Sequence, residues 1–363
     1  MSAKRSRQNL NNYIKMKKLL LKVMAVALLL NLSHSVSAQS KRYTAVFYNI
    51  ENVFDTINDP TINDEEFLPD GIKNWTGVKY WKKMANIERA LYNLSGECKA
   101  FPTVIGVSEI ENRNVLEDIA SLPKLAPAGY QIVHYDGPDA RGVDCAFFYR
   151  PDQFTLLDSS SERVVVEGEP NFRTRDILTM TGLIDGEEFL FIVSHWPSRR
   201  NGQASSTHLR EAVAAQIRGI IEARRAENPN IKAVVMGDFN DDPKDKSVSE
   251  ILGGKRRVKD LEEGDMFNPF YQMHQDGHGS LAYRDAWNLF DNIVVSENLA
   301  TDGKGKLHLV SAEKSKYLGN IFNRSFLLQQ EGQYRGYPLR TYVGNAFQDG
   351  YSDHLPVFIF FEK

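Results

Sequence analysis

Short apolar runs, each closed by a small polar cluster, are the feature that most constrains how this 363-residue chain folds. Residues 233–236 predict a buried strand, because the run is short, apolar and rich in valine. Gly237 lets the backbone turn, and Asp238 and Asn240 follow it two positions apart, so that in extended chain their side chains share one face. A carboxylate beside an amide suits a hard cation or a phosphate, although an Asx-rich turn that closes a strand is the alternative.

The order of predicted strands and helices indicates the fold class. Helical spacing of apolar residues predicts helices at 76–94, 115–122 and 209–225. Strands are predicted at 43–48, 103–107, 131–135, 143–149, 163–166, 177–184, 188–194, 233–236, 292–295 and 357–361. Because hairpins occur as well as helical crossovers, we expect an α/β (α+β) fold with a mixed sheet or two packed sheets and outer helices. No linker is visible, so residues 39–363 predict one catalytic domain, with a weakly patterned insertion at 313–349.

The first 38 residues have the pattern of a secretory signal peptide. Lys15, Lys17 and Lys18 precede a mostly apolar segment, and small residues lead to a cleavage site after Ala38. The uninterrupted apolar run at 23–30 is too short to span a bilayer, and no cysteine follows it. We therefore expect a secreted or periplasmic protein without a stable membrane anchor.

Charge and cysteine content narrow the function classes. The leader carries seven basic residues and no acidic one, so its removal would take the formal charge from −3 to −10. A protein this acidic has no general attraction for polyanions, and any phosphate binding must come from local basic groups and a metal. Cys98 and Cys145 fit two free thiols better than a disulfide, because Cys145 lies inside an apolar run.

Most polar candidates stand at the ends of the apolar runs. Asn49, Glu109, His195, Asp238 and Asn240 follow a run, whereas Asp291 and His354 precede one. In layered α/β folds such ends converge on one rim, where ligands bind. The carboxylates and amides suit Mg²⁺ or Mn²⁺, and the histidines suit proton transfer. With no G-x-S-x-G elbow and no P-loop in the sequence, this set indicates metal-assisted attack of water on a phosphoester.

Seven ordered motifs carry a resemblance to a known family. They read Y-N-I-E-N, G-V-S-E, Y-D-G-P-D-A-R-G, S-H-W-P-S-R, G-D-F-N, D-N-I-V-V-S and S-D-H-L-P-V. In this order they resemble the endonuclease/exonuclease/phosphatase superfamily, and the first and fourth resemble its secreted bacterial nuclease-like branch. The resemblance runs from Tyr43 to the C-terminus. It implies a four-layer α/β/β/α sandwich of two mixed β-sheets flanked by helices.

The resemblance also implies roles for individual residues. Asn49, Glu109 and Asp353 match metal-site positions for Mg²⁺ or Mn²⁺. The catalytic positions are His195, Asp238, Asn240, Asp291 and His354, with Asp291 orienting His354. The substrate contacts are Tyr135, Arg141 and Arg199. Glu51 and Glu111 lie near the motifs, and we interpret them as helix-cap or solvent-exposed acids.

Three functions are compatible with this sequence. The first is a secreted, metal-dependent phosphodiesterase, a nuclease acting on DNA or RNA as a monomer. The second is an enzyme of another substrate class, a sphingomyelinase-like phospholipase C or a phosphatase on a phosphorylated small molecule. The third is a binding protein without activity, which is disfavoured because every expected metal and proton-transfer position is filled.

Overall fold

Two large mixed β-sheets form the centre of the protein. The computed structural model describes residues 15–18, 41–200 and 202–363. Residues 15–18 are helical and belong to a unit separate from Arg42–Lys363. The predicted cleavage site lies outside the described residues, so the signal peptide stays a prediction. No helix in the described part of the chain is long and apolar enough to cross a membrane.

The strands are short, as the apolar runs predict. In chain order they are β1 (Arg42–Val53), β2 (Val104–Ile110), β3 (Gln131–His134), β4 (Asp144–Tyr149), β5 (Thr155–Glu162), β6 (Ile177–Ile184), β7 (Glu187–His195), β8 (Lys232–Asp238), β9 (Gly254–Lys255), β10 (Met266–Phe267), β11 (Leu281–Tyr283), β12 (Ala286–Asn288), β13 (Asp291–Ser296), β14 (His308–Val310), β15 (Gly319–Ile321), β16 (Tyr342–Val343), β17 (Ala346–Phe347) and β18 (Val357–Glu362).

The helices are fewer and flank the sheets. They are α1 (Gly77–Glu97), α2 (Arg113–Ser121), α3 (Gln203–Glu227), α4 (Tyr271–Gln275) and α5 (Glu297–Thr301), with short 3₁₀ turns at Glu65–Phe67, Ala126–Ala128, Val258–Asp260 and Ser325–Leu327 and a π turn at Ser247–Ile251.

Each sheet has a parallel pair at its centre, and the second sheet has another at its edge, where β9 runs parallel to β10. The first sheet has the order β14-β18-β1-β2-β4-β3, with β15 also paired to β18, and β1 runs parallel to β2. The second sheet has the order β5-β6-β7-β8-β13-β10-β9, and β7 runs parallel to β8. Strands β11 with β12 and β16 with β17 form separate hairpins.

The two sheets pack face to face through an apolar inner layer. Side chains alternate along each strand, so Ala45 and Phe47 of β1 join Val234 and Met236 of β8 in one buried cluster. The sheets approach closely at Gly106, where an added Cβ would lie 2.5 Å from the Met236 sulfur. This inner layer is the core that the alternating strand pattern predicts.

Helices cover the outer face of each sheet. The outward residues Val46 and Tyr48 of β1 pack with residues of α1 and α2. On the second sheet, Val235 of β8 packs with Val213 and Ile217 of α3. The layers are therefore helix, sheet, sheet and helix, which confirms the four-layer α/β/β/α sandwich expected from the sequence.

Three local expectations can be compared with this fold. The strand predicted at 163–166 is wrong, because the chain leaves β5 after Glu162. Val164 and Val166 are buried against the outer core and Val165 is exposed, so their alternation reflects packing rather than strand pairing. The insertion at 313–349 is an integral part of the fold, since Leu327 and Tyr342 belong to the first sheet's outer core. Both cysteines are buried free thiols, as preferred.

Candidate active site

The strand register places three predicted residues in one row. His195 at the end of β7 pairs with Asp238 at the end of β8, and Asp238 pairs with Asp291 at the start of β13. Asn49, on the facing sheet, donates from Nδ2 to Oδ2 of Asp238 over 3.1 Å. The polar ends of both sheets therefore meet at one rim, as the sequence predicted for these residues.

Asp238 is the residue that most of the others contact. Its Oδ1 accepts the backbone N–H of Asn240 at 3.0 Å. Its Oδ2 lies 3.3 Å from Nε2 of His195 and 3.7 Å from Nε2 of His354. Burial raises the pKa of Asp238 to about 6, and the nearby Asp291 adds to this rise while His354 opposes it. The carboxylate can therefore exchange a proton close to neutral pH.

His354 is hydrogen-bonded on its other ring nitrogen to Asp291. Nδ1 lies 2.7 Å from Asp291 Oδ2, which also accepts the hydroxyl of Ser280. Burial would lower the pKa of His354, but the carboxylates of Asp291 and Asp238 outweigh it and raise the pKa well above its usual value. The imidazole is thus protonated at neutral pH and able to donate from Nε2.

His195 has the opposite protonation behaviour. Its side chain is 4% exposed, and Nδ1 is buried without a hydrogen-bond partner, 3.9 Å from Oε1 of Glu109. Burial lowers the pKa of His195 well below its usual value, and the positive charges of Arg175, Arg141 and His354 act in the same direction. The site therefore pairs a neutral histidine with a protonated one.

Glu109, near the end of β2, has a strained backbone conformation and a carboxylate close to Asn49 and His195. Its φ is +64°, a left-handed conformation uncommon for a residue with a side chain. Oε2 accepts the backbone N–H of Asn52 at 2.9 Å, whereas Oε1 has only a 3.4 Å contact from Asn49 Nδ2. Asn49 uses its own side-chain oxygen for the N–H of Glu51. Its amide nitrogen thus faces the carboxylates, and ligation of a metal by Asn49 stays a prediction.

Asp353 lies in an ion-pair network that the sequence analysis missed. Arg340 donates to Oδ2 of Asp353 at 2.8 Å and to Oε1 of Glu51 at 3.2 Å. Glu51, interpreted above as a cap or solvent acid, is instead buried in β1 and accepts the N–H of Thr341 at 2.6 Å. Its position inside the Y-N-I-E-N motif was an available signal, but Arg340 lies in a segment without periodicity.

Glu111 also differs from its interpretation. It is 5% exposed and accepts the N–H of Asp55 at 2.6 Å and the side-chain amide of Asn112 at 3.1 Å. Asn112, not Glu111, caps helix α2 by accepting the N–H of Val115. Burial raises the pKa of Glu111 to about 8. This acid is structural rather than solvent-exposed.

The three predicted substrate contacts lie in two places. Tyr135 is exposed in the loop before β4, and its hydroxyl donates to the carbonyl of Ser159 at 3.1 Å. Arg141, in the same loop, has a 38% exposed side chain, with Nε 3.5 Å from Asp139. Both side chains lie in the exposed loop between β3 and β4, and their role as substrate contacts stays a prediction.

Arg199, the third predicted substrate contact, forms hydrogen bonds to other groups of the protein instead. Its guanidinium donates to Asp241, Asp245 and the carbonyl of Asn240, each at 2.6 Å. It also lies over the ring of Phe290. These contacts fix the turn that follows Asn240, and a direct contact with substrate would require Arg199 to leave them.

Two sets of donors could hold a metal at this rim. Asp238, Asp291 and His354 each offer a ligand atom, all within 4.8 Å of one another. However, Asp291 and His354 are already joined by a hydrogen bond, which suits proton transfer better than ligation. Among the described residues, the single hydrogen bond to Oε1 of Glu109 is the 3.4 Å contact from Asn49, and Oδ1 of Asp353 has only His354 Nε2 at 3.9 Å. These hard oxygen donors fit a divalent cation such as Mg²⁺ or Mn²⁺.

Comparison with known families decides the classification. The profile of the Endonuclease/Exonuclease/phosphatase family matches residues 44–363. The chain belongs to this family. Members of the family are phosphoester hydrolases that depend on a divalent metal, which agrees with the acidic groups at the rim. A general phosphoesterase or nuclease activity is therefore supported.

Solved structures share the fold at low sequence identity. Crystal structures of TDP2 from D. rerio, humanized by 14 mutations, and of truncated TDP2 from Caenorhabditis elegans each have a TM-score of 0.51 and 14% identity. Both matches cover 89% of this chain, and they cover 99% and 98% of the TDP2 chains. An endonuclease/exonuclease/phosphatase family protein from Bacteroides thetaiotaomicron has a TM-score of 0.51 and 16% identity, covering 89% of this chain and 96% of its own. No curated protein sequence matches the chain.

Proposed function

We propose that this protein is an exported, metal-dependent phosphodiesterase that hydrolyses DNA or RNA by attack of an activated water molecule. The observation that supports it most is the hydrogen bond between His354 and Asp291, placed so that His354 Nε2 lies 3.7 Å from Asp238. A protonated donor and a carboxylate that titrates near neutral pH stand side by side. This is what in-line attack on a phosphoester requires.

In this mechanism each residue of the site has a separate role. Asp238 orients the attacking water and accepts its proton, because its pKa lies near the working pH. His354 donates from Nε2 to a phosphoryl oxygen as negative charge develops there. Asp291 keeps His354 oriented and protonated. Asn240 fixes the Asp238 carboxylate through its backbone N–H, and neutral His195 assists at the scissile phosphate.

A divalent ion, Mg²⁺ or Mn²⁺, would be held by Glu109 and Asp353, with Asn49 beside them. When bound it supplies positive charge that stabilises the phosphoryl oxygens. Arg340 fixes the Asp353 carboxylate through Oδ2, which leaves Oδ1 directed toward His354. The hydrogen bond from the Asn52 N–H to Oε2 of Glu109 limits the movement of this carboxylate in the same way.

Nucleic acid is the substrate that the exposed loop favours. Tyr135 offers a ring for stacking and Arg141 a cation for phosphate, both near the rim. Since the mature chain is acidic overall, this local pair would have to supply most of the attraction. A salt-sensitive but weak affinity for polyanions is expected.

A small phosphorylated molecule is the second candidate substrate. A cavity of about 230 Å³ adjoins the rim and is lined by Glu51, Asn52, Lys73, Arg340, Thr341 and Tyr342, among others. Its mixed polar and aromatic lining and its modest size suit a sugar-sized group attached to the phosphate. Sphingomyelin is the lipid alternative, and the structure gives it no comparable support.

Hydrolysis by residues 39–363 tests the proposal. Duplex DNA, RNA, sphingomyelin and a sugar phosphate are each incubated with Mg²⁺ and with chelator. His354→Ala is the test variant, and His278→Ala is its control, because His278 is exposed and meets only the edge of Tyr317. Cleavage of DNA or RNA that needs Mg²⁺ and is lost only in His354→Ala supports the nuclease. Turnover of the sugar phosphate alone would replace it with a phosphatase.

Export and oligomeric state complete the proposal. We expect the full-length chain to be processed after Ala38 and recovered outside the cytoplasm, whereas residues 39–363 expressed without the leader should stay inside. Mass spectrometry of the N-terminus distinguishes these outcomes. Sedimentation of the mature protein should give the mass of a monomer.

A further inference from the structure

A second polar cluster lies one strand away from the candidate active site. His134 ends β3, Asp144 begins β4, and Asp136 lies in the loop between them. Each offers one ligand atom, and these atoms all lie within 4.8 Å of one another. Asp144 faces Ile110 of β2, next to Glu109. The cluster is thus at the same rim, in the same sheet as Glu109 and on the opposite side of β2 from β1, which carries Asn49.

The imidazole of His134 is buried and unsatisfied. Its side chain is 3% exposed, and Nε2 has no hydrogen-bond partner although it faces Oδ2 of Asp144 at 3.6 Å. That distance is too long for a hydrogen bond. Buried polar atoms without a partner are rare in proteins, and a bound water or ion commonly supplies the missing partner.

The carboxylates around it are not neutralised by the protein. Oδ1 of Asp144 accepts the N–H of Gly137 at 3.0 Å, which leaves Oδ2 for another partner. Within residues 41–200 and 202–363, no lysine or arginine forms an ion pair with Asp136 or Asp144. Two carboxylates and a buried imidazole nitrogen therefore point into one small space without a cation.

We propose that His134, Asp136 and Asp144 form a second metal site that binds Zn²⁺. One imidazole and two carboxylates are three protein ligands, and a water completes a tetrahedral site. The imidazole nitrogen favours Zn²⁺ over Mg²⁺ or Ca²⁺, which prefer oxygen ligands. The ion joins the two strands at the mouth of their hairpin. It thereby braces the 135–143 loop, which carries Tyr135 and Arg141.

Zinc content after equilibrium dialysis tests the site. The wild type, His134→Ala and Asp136→Asn are dialysed against Zn²⁺ and their metal content is measured. His208→Ala is the matched control, because His208 is exposed and meets a single carboxylate, Glu169, at 2.7 Å. Both test variants should lose one equivalent of Zn²⁺ relative to the wild type, and His208→Ala should lose none.

Additional variants distinguish metal binding at this cluster from the chemistry of the candidate active site. His354→Ala should retain the equivalent that His134→Ala loses, whatever its hydrolytic activity, so the two proposals fail independently. Asp136 is exposed, so Asp136→Asn should not disturb the core. Equal zinc content in the wild type and Asp136→Asn, or in the wild type and a folded His134→Ala, would overturn the site. Hydrogen exchange in residues 135–143 should slow on adding Zn²⁺ to the wild type and not to His134→Ala.

Discussion

Nδ1 of His354 lies 2.7 Å from Oδ2 of Asp291, although the two residues are 63 positions apart in the chain. Asp291 is fully buried at the start of β13 and is also bonded to Ser280. This contact fixes the orientation and the charge of the histidine together. The protonation state of His354 therefore depends on the charge of Asp291, and this dependence can be tested.

Asp291→Asn should shift the pH dependence of hydrolysis. The negative charge of Asp291 raises the pKa of His354, so its removal should lower that pKa and move the alkaline limb of kcat/KM to lower pH. The rate at pH 7.5 should fall by roughly 100-fold or more, as for loss of an acid–base group. Asp276→Asn removes an exposed carboxylate instead and should leave the profile unchanged. An unshifted limb in Asp291→Asn would contradict this account of His354.

Arg340→Ala should destabilise the fold through Glu51. The substitution leaves a buried carboxylate without its ion pair, which costs about 1–3 kcal/mol of unfolding free energy. Urea denaturation measures this loss, and Arg335→Ala, an exposed arginine of the same segment, should show little of it. Adding Glu51→Gln to Arg340→Ala should recover part of the stability, because the buried side chain at position 51 then carries no charge, whereas Asp353 is partly exposed. A double variant as unstable as the sum of both single variants would argue against the coupling.

Glu111→Gln should stabilise the protein at alkaline pH. Burial raises the pKa of Glu111 from 4.5 to about 8, so the folded state holds this proton more tightly than the unfolded state. The resulting stability is complete below about pH 4.5 and is lost as pH rises through 8. Glutamine stays neutral and can still accept the N–H of Asp55. The gain in unfolding free energy should therefore be larger at pH 8 than at pH 5, on the order of 1 kcal/mol after allowance for solvent screening.

Thermal unfolding at both pH values measures this difference. Glu117→Gln, an exposed glutamate on α2, is the control and should show no comparable pH dependence. If Glu111→Gln is equally stabilising at pH 5 and pH 8, the buried carboxyl is not the cause.

Gly106→Ala should strain the contact between the two sheets. The new methyl group would lie 2.5 Å from the Met236 sulfur and 3.2 Å from a methyl of Val193. Overpacking of this kind costs about 1–3 kcal/mol of stability. Shortening Met236 to alanine in the same chain should relieve the overlap, so the double variant should lose less stability than the two single variants summed. Strict additivity would show that the contact with Met236 is not the cause of the loss.

The row of His195, Asp238 and Asp291 was predictable because the strands and their polar ends carry local signals. A valine-rich run followed by G-D-F-N indicates a strand that ends in a turn, and this places Asp238 and Asn240 correctly. The alternation of apolar and polar residues gave a wrong strand prediction at Val164 and Val166, where buried side chains pack without a partner strand. Alternation reports which side chains are buried, not which backbone groups are paired.

The ion-pair network and the proposed zinc cluster had no comparable signal. Arg340 contacts Glu51 across 289 positions and lies in a segment without periodicity. His134 is a single histidine in a short strand, and only the hairpin brings Asp144 beside it. Contacts of this kind depend on the fold as a whole, so a local pattern cannot reveal them.

The order of the site residues along the chain has a consequence for biosynthesis. Asn49 lies in the first strand, whereas Arg340 and His354 come shortly before the last. A ribosome must therefore have added residue 354 before Asn49 and His354 can meet. A chain released before residue 340 would lack both Arg340 and His354, so it could not assemble the candidate site in full.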